Sequence, residues 1–220
     1  PDLHLVIMTG WWSYIMAAAP LGYKISLILS YPLYARRVAR TWKVAGGWQN
    51  RYFRRQVVGI KPPRLLEAAD RSLGKQVYVQ VEDMTEKMRH MVYHEVTHAC
   101  TSRLNLPAWL NEGLAMITVD KIAGWQTVQG ATVEKLGLSP TVMKGRVVRS
   151  VDPQMLVPYY VRGYWITRYY DETQPGLLGR LLGRYLGRAA IETTLAQAVG
   201  LTREQFWNEI EGKVKAYFLN

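Results

Sequence analysis

Cysteine is nearly absent. The 220 residues hold one, Cys100, which excludes both a disulfide framework within the chain and thiolate ligation of zinc. Acidic side chains are scarce, 17 Asp and Glu against 28 Lys and Arg, and the formal net charge is +11. Glycine and proline follow no period, so collagen-like and low-complexity classes are excluded. Apolar and aromatic residues are abundant. With 49% hydrophobic residues the chain is too apolar for a disordered tail, and it is long enough for one sizeable core or one domain plus an appendage. Its 14 Tyr and 8 Trp suit a large aromatic core or a membrane interface.

The least polar stretch is residues 3–33. Leu5 to Tyr23 carries no charge, and Arg36, Arg37, Arg40 and Lys43 follow closely. Two readings stand: a segment that anchors in or lies on a membrane with its basic cluster at the cytoplasmic side, or a buried strand over Leu3–Met8 followed by core helices. No basic region precedes the apolar run, so a cleavable signal peptide is not expected. The chain opens at Pro1 rather than Met, as a fragment or processed product would. A basic balance also admits nucleic acid, but the placement of the charge directly after the apolar run favours a membrane-facing amino terminus, and no nucleic-acid partner is expected.

Further along, Arg36 to Gln49 reads as a helix ending near Gly46-Gly47, and Lys61-Pro62-Pro63 as a break. Val77, Val79 and Val81 alternate with Tyr78, Gln80 and Glu82, which predicts a half-buried strand. Asp83 with Glu86 is a capping-box pattern and predicts a helix to about Leu104. Pro107 suits the first position of a helix over Ala108–Ile122. Residues 124–158 read as irregular, and helices are expected over Tyr159–Tyr170, after Pro175, over Ile191–Val199 and after Thr202, which Gln205 caps. A repeat, Leu-Leu-Gly-Arg at 177–180 and 181–184 then Tyr-Leu-Gly-Arg at 185–188, is expected on one helix with its arginines wrapped around it in solvent.

The chemistry lies in His94-Glu95-Val96-Thr97-His98. Residues four apart share a helix face, so the two imidazoles can converge on one ion, with the Glu95 carboxylate beside a metal-bound water. Two neutral imidazoles and one carboxylate leave a fourth position open on zinc, as catalysis requires. The carboxylate candidate is Glu112, separated from His98 by thirteen residues and one turn into an otherwise apolar helix. His90 shares the stripe but lies about 12 Å from His98 along the axis, too far for one ion; it reads as a cleft or surface residue. Cys100 reads as a small buried hydrophobe.

With Trp109-Leu110-Asn111-Glu112-Gly113-Leu114-Ala115, the histidine motif resembles the gluzincin metallopeptidases of the thermolysin and zinc-aminopeptidase type, and most of all their small peptidase MA-like domains. The resemblance covers about residues 75–215. It implies an α+β, predominantly helical fold: a zincin-like domain over 61–220, with a small β-sheet before the active-site helix and a helical C-terminal part, preceded by the apolar and basic segment 1–60. It also implies a zinc-dependent peptidase acting on a peptide or protein substrate. Tyr160-Val161-Arg162-Gly163 resembles the aminopeptidase segment Tyr-x-Lys-Gly and points to Tyr160 as the oxyanion partner, with Tyr159 and Tyr164 as alternatives. The Gly-Ala-Met-Glu-Asn segment that holds a substrate amino terminus in those aminopeptidases is missing, so aminopeptidase specificity is not implied, nor is there the later Asp-Gly pair of site-2 intramembrane proteases.

The expected reaction uses Zn2+ on His94, His98 and Glu112, Glu95 as general base, and the Val77–Glu82 strand as an edge for an extended substrate. Two other functions compete: an inactive gluzincin-like domain that binds a peptide or partner, and a basic membrane-surface module in which the motif is incidental.

Overall fold

The computed structural model describes residues 2–53, 55–137, 153–184 and 186–220. The fold is α+β and mainly helical, with one small mixed sheet. The chain divides into two compact units, residues 1–76 with 80–99 and residues 77–79 with 100–220.

The first unit is built on the sheet. Its strands β1 (Leu3–Ile7), β2 (Gly47–Tyr52) and β3 (Arg55–Ile60) take the order β1-β3-β2. β1 runs parallel to β3, pairing Leu5 with Val58, and β2 is antiparallel to it, pairing Gln49 with Val58. β3 is central and buried along most of its length, which is why Val57-Val58-Gly59-Ile60 is a continuous apolar run rather than an alternation. Its side chains still divide by face with period two. Val57 joins Met8, Tyr14, Ile15 and Ala18 of the helix α1 (Trp11–Ala18) side, with Leu27 and Trp42 of α2 (Leu21–Val44) packed against them. Val58 and Ile60 join Ala99, Met88, Met91 and Val92 of α5 (Met84–Thr101).

Glycines set the closeness of these layers. A Cβ at Gly59 would lie 2.5 Å from the Tyr14 ring, and one at Gly46 would lie 2.6 Å from the end of Met91. α2 ends at Val44, so Gly46-Gly47 gives room for neighbouring side chains rather than terminating a helix at Gln49. The strand expected over Leu3–Met8 forms as β1 and helices α1 and α2 follow it, but the strand is not buried, since Leu3, Leu5 and Ile7 are exposed. Among the described residues, no helix is long and apolar enough to cross a membrane.

The predicted strand over 77–82 is not formed. After α3 (Pro63–Ala69) and a π-helical turn, Lys75–Val77 makes one helical turn, α4. Only Tyr78 bridges, to Val128. Val77 is buried but Val79 is exposed, so the alternation does not sort the side chains into two faces. A strand needs a partner along its length; here the Val79 N–H donates to the Thr127 carbonyl at 2.8 Å and the Gln129 N–H to the Val77 carbonyl at 2.9 Å, and the ladder goes no further than this one bridge. The substrate edge expected there is therefore absent.

In the second unit α6 (Ala108–Ala123) packs on α7 (Pro153–Thr173). A Cβ at Gly163 would lie 2.6 Å from the Trp109 carbonyl oxygen, and a Cβ at Gly113 would run into Thr167 and the Gly163 carbonyl. Both glycines are needed for the two backbones to approach this closely. Pro107 is the N-cap of α6, one position earlier than expected. α10 (Arg203–Leu219), capped by Thr202 and Gln205 as predicted, brings Phe206 and Trp207 against Trp109. The Tyr170 hydroxyl donates to the Leu195 carbonyl of α9 (Arg188–Ala198) at 2.7 Å, which satisfies a fully buried phenol.

Two further expectations are corrected here. The Leu-Leu-Gly-Arg repeat is not one helix: α8 (Leu177–Leu182) buries Leu177, Leu178 and Leu181 and stops at Gly183, leaving Arg180 and Arg184 in solvent. The 124–158 stretch is not irregular throughout, since 130–135 is a 3-10 turn and α7 begins at Pro153; residues 138–152 lie outside the described residues.

Candidate metal centre

α5 begins as its sequence directs. The Asp83 carboxylate accepts the Thr85 backbone N–H at 2.7 Å, which satisfies a free donor of the first turn and holds that carboxyl below its ordinary range. From there the helix is amphipathic around the sheet. Met88, Met91, Val92 and Ala99 face Val58 and Ile60. Glu95 lies on the same stripe by its 3.6-residue spacing. Glu95 is 8% exposed as a residue and its side chain rests on the backbone of Gly47, where a Cβ would lie 2.5 Å from Cγ and 2.8 Å from Oε1. A carboxylate on a core-facing stripe is costly unless it is paired or hydrogen-bonded.

His94 is buried and His98 half-buried, one turn apart. Their Nε2 atoms are 3.0 Å from each other and the rings are nearly perpendicular. Two nitrogens on one tetrahedral zinc at about 2.05 Å would stand about 3.3 Å apart, so the pair is nearly at ligand spacing. α5 continues to Thr101, one turn past His98. There the Thr101 hydroxyl donates to the Asn111 side-chain Oδ1 at 2.6 Å, tying the end of α5 to the residue before Glu112. One ligand atom from each of His94, His98 and Glu112 lies within 4.8 Å of the other two. The helix–turn–helix stretch 84–123 thus brings together the three expected ligands. Two imidazoles and a carboxylate are a donor set suited to zinc.

No protein-family model, curated protein or solved structure matches this chain.

The tyrosines differ in their surroundings. Tyr160 is half-buried on α7, its ring centroid 5.8 Å from that of Tyr159. Tyr159 is buried, and burial first, then the Glu112 charge, pushes its phenol above the ordinary range. Tyr164 is fully buried, donates to Asp120 at 2.6 Å and accepts from Arg168 at 2.8 Å, which commits it to the α6–α7 packing. Arg162, the residue standing where the aminopeptidase segment has lysine, is buried in an ion pair with Glu211 of α10.

His90 lies 3.7 Å from the Glu86 carboxylate, a contact on its own helix. Cys100 is exposed rather than buried, because it stands about 100° around α5 from the sheet-facing Ala99. Two residues near Glu95 were not evident from sequence. Gly47 had looked like a helix terminator. Tyr14, on α1, is fully buried with its hydroxyl accepting from Asn50 at 3.1 Å, and burial first, then the charges of Tyr52 and lastly Glu95, raise its phenol. No spacing rule links positions 14 or 47 to 95; only the sheet brings them together.

Proposed function

We propose that the chain is a zinc-dependent peptidase of the gluzincin type, with a zincin-like arrangement of α5 and α6. The observation that carries the reading is the convergence of His94, His98 and Glu112 next to a buried Glu95. A zinc ion held by these three side chains would supply an acidified water and an electrophilic centre. His94 and His98 would hold it as neutral imidazoles, and Glu112 would contribute the one ligand charge.

Glu95 takes a proton from the attacking water and passes it to the leaving amine as the peptide C–N bond breaks, so the residue acts first as base and then as acid. Gly47 keeps that carboxylate in place by leaving it room. Gly47 also starts β2, an edge strand of the sheet. An extended peptide added along β2 would run beside Glu95, a role that residues 77–82 cannot fill. Tyr160 takes the oxyanion role by its match to the aminopeptidase segment.

Hydrolysis of a mixed peptide library by the zinc-loaded wild type and Glu95→Gln tests the reading. The account expects a loss of about 100-fold to 10,000-fold with zinc content unchanged. Equal activity in the two proteins removes Glu95 from the mechanism.

A further inference from the structure

α2 has two sides of opposite character. Leu27, Val38 and Trp42 face the core of the first unit. On the other side Leu21, Ile25, Ile28, Leu29 and Leu33 recur at three- and four-residue spacing and are exposed, Leu29 by 78% and Leu33 by 90%. Isolated exposed leucines are ordinary, but a stripe of five aliphatic side chains over three helical turns is not. The same exposed side then turns basic: Arg36, Arg37, Arg40 and Lys43 are all in solvent. The apolar part spans about 18 Å and the basic part about 10 Å along one axis.

The charge along this part of the chain has one sign, and the acidic residues of the elements packed on α2, Glu67 and Asp70, are paired with Arg71 and Lys87. Between Asp2 and Glu67 there is no acidic residue, while the same stretch holds ten of the 28 Lys and Arg. A water-facing surface for a soluble protein partner would ordinarily mix signs. A surface that pairs an aliphatic stripe with unopposed cations complements a bilayer whose headgroups are anionic. α2 is not built to cross that bilayer, since its 24 residues carry five Lys and Arg.

We propose that the outer stripe of α2 docks on an anionic lipid bilayer. Leu21, Ile25, Ile28, Leu29 and Leu33 enter the interface and Arg36, Arg37, Arg40 and Lys43 meet the headgroup phosphates. The helix lies along the surface rather than through it. This inference uses neither the metal ligands nor catalysis, so it stands or falls apart from the peptidase reading.

The test is sedimentation of the 220-residue chain with vesicles of phosphatidylcholine mixed with phosphatidylglycerol, and with vesicles of phosphatidylcholine alone. The wild type is expected to bind the mixed vesicles preferentially and to be released by salt. A basic side chain near an anionic surface strengthens binding about fivefold, so Arg36→Gln/Arg37→Gln/Arg40→Gln should weaken it about 100-fold. Leu29→Asp/Leu33→Asp should weaken it at least about 10-fold while leaving the circular dichroism unchanged, because both positions are solvent-exposed. Equal binding to neutral vesicles, no binding to mixed vesicles, or binding indifferent to both variants overturns the proposal. A dimer that Leu29→Asp/Leu33→Asp dissolves, with no vesicle binding, overturns it in favour of a second copy on the stripe.

Discussion

Helices α5 and α2 belong to the same unit and depart from ordinary amphipathic patterning in opposite directions. α5 turns polar groups inward: His94 and Glu95 are buried, and Glu95 occupies a sheet-facing position that Met88, Met91, Val92 and Ala99 fill with apolar atoms elsewhere on the helix. α2 turns apolar groups outward over its first half. Each departure costs stability, the first through desolvation of a carboxylate and the second through hydration of aliphatic surface. Local patterning and fold usually agree, and the places where they disagree are where function is expected. Here the inward polar groups gather around one point and the outward apolar groups spread along a line. A metal centre needs the first arrangement and a surface contact the second.

Gly47→Ala is the sharpest way to break the α5 half of this comparison. The new methyl would meet Glu95 Cγ and Oε1 within 2.8 Å, so the carboxylate must move. We expect peptidase activity to fall at least about 10-fold, because a displacement of about 1 Å at a catalytic group can cost 100-fold, and stability to fall by about 1–3 kcal/mol. Zinc content should not change. Activity measured at matched zinc loading, together with a denaturant melt, checks this; full activity would mean that Glu95 does not need its present position.

The α2 half turns on how the helix is held. Lys61 is 2% exposed, donates to the Trp42 carbonyl in the last turn of α2 and lies 4.5 Å from the centre of the Trp42 ring. Burial lowers its ammonium to about 8. In the unfolded chain the same group titrates near 10.4. Between those two values the unfolded chain binds more protons than the folded one, so this residue makes stability rise with pH, by at most about 1.4 kcal/mol per unit. Below pH 8 both states hold the proton and the contribution is flat. Denaturant melts at pH 8 and pH 9.5 should show the rise in wild type and lose it in Lys61→Met. An identical pH response in the two proteins would show that Lys61 is solvated, and with it the end of α2.

Parts of this were legible in the sequence and parts were not. His94, Glu95 and His98 stand at helical spacing within one segment, and the Asp83 start and the α10 cap are local signals, so position along the chain was enough to place them. The sheet was harder. β2 reads Gly-Trp-Gln-Asn-Arg-Tyr with no apolar alternation, and the short run Val57-Val58-Gly59-Ile60 of β3 suits a strand or a buried helix equally. Residues 77–82 alternate well but pair with residues 127–129 at a single bridge, so the clearest strand pattern in the chain forms no strand. Gly47 reaches Glu95 only through tertiary packing, and Cys100 is exposed because the sheet takes the neighbouring face of α5. Glu112 was legible because it lies near the start of a helix whose following residues, Gly113 to Ile117, are apolar.

Zinc content of the purified chain, measured by elemental analysis beside His98→Ala and Glu112→Ala, tests the central claim most directly. The account predicts one zinc per wild-type chain and its loss in both variants, with secondary structure retained. Zinc held undiminished by Glu112→Ala, or no zinc bound by the wild type when it is supplied, would contradict it.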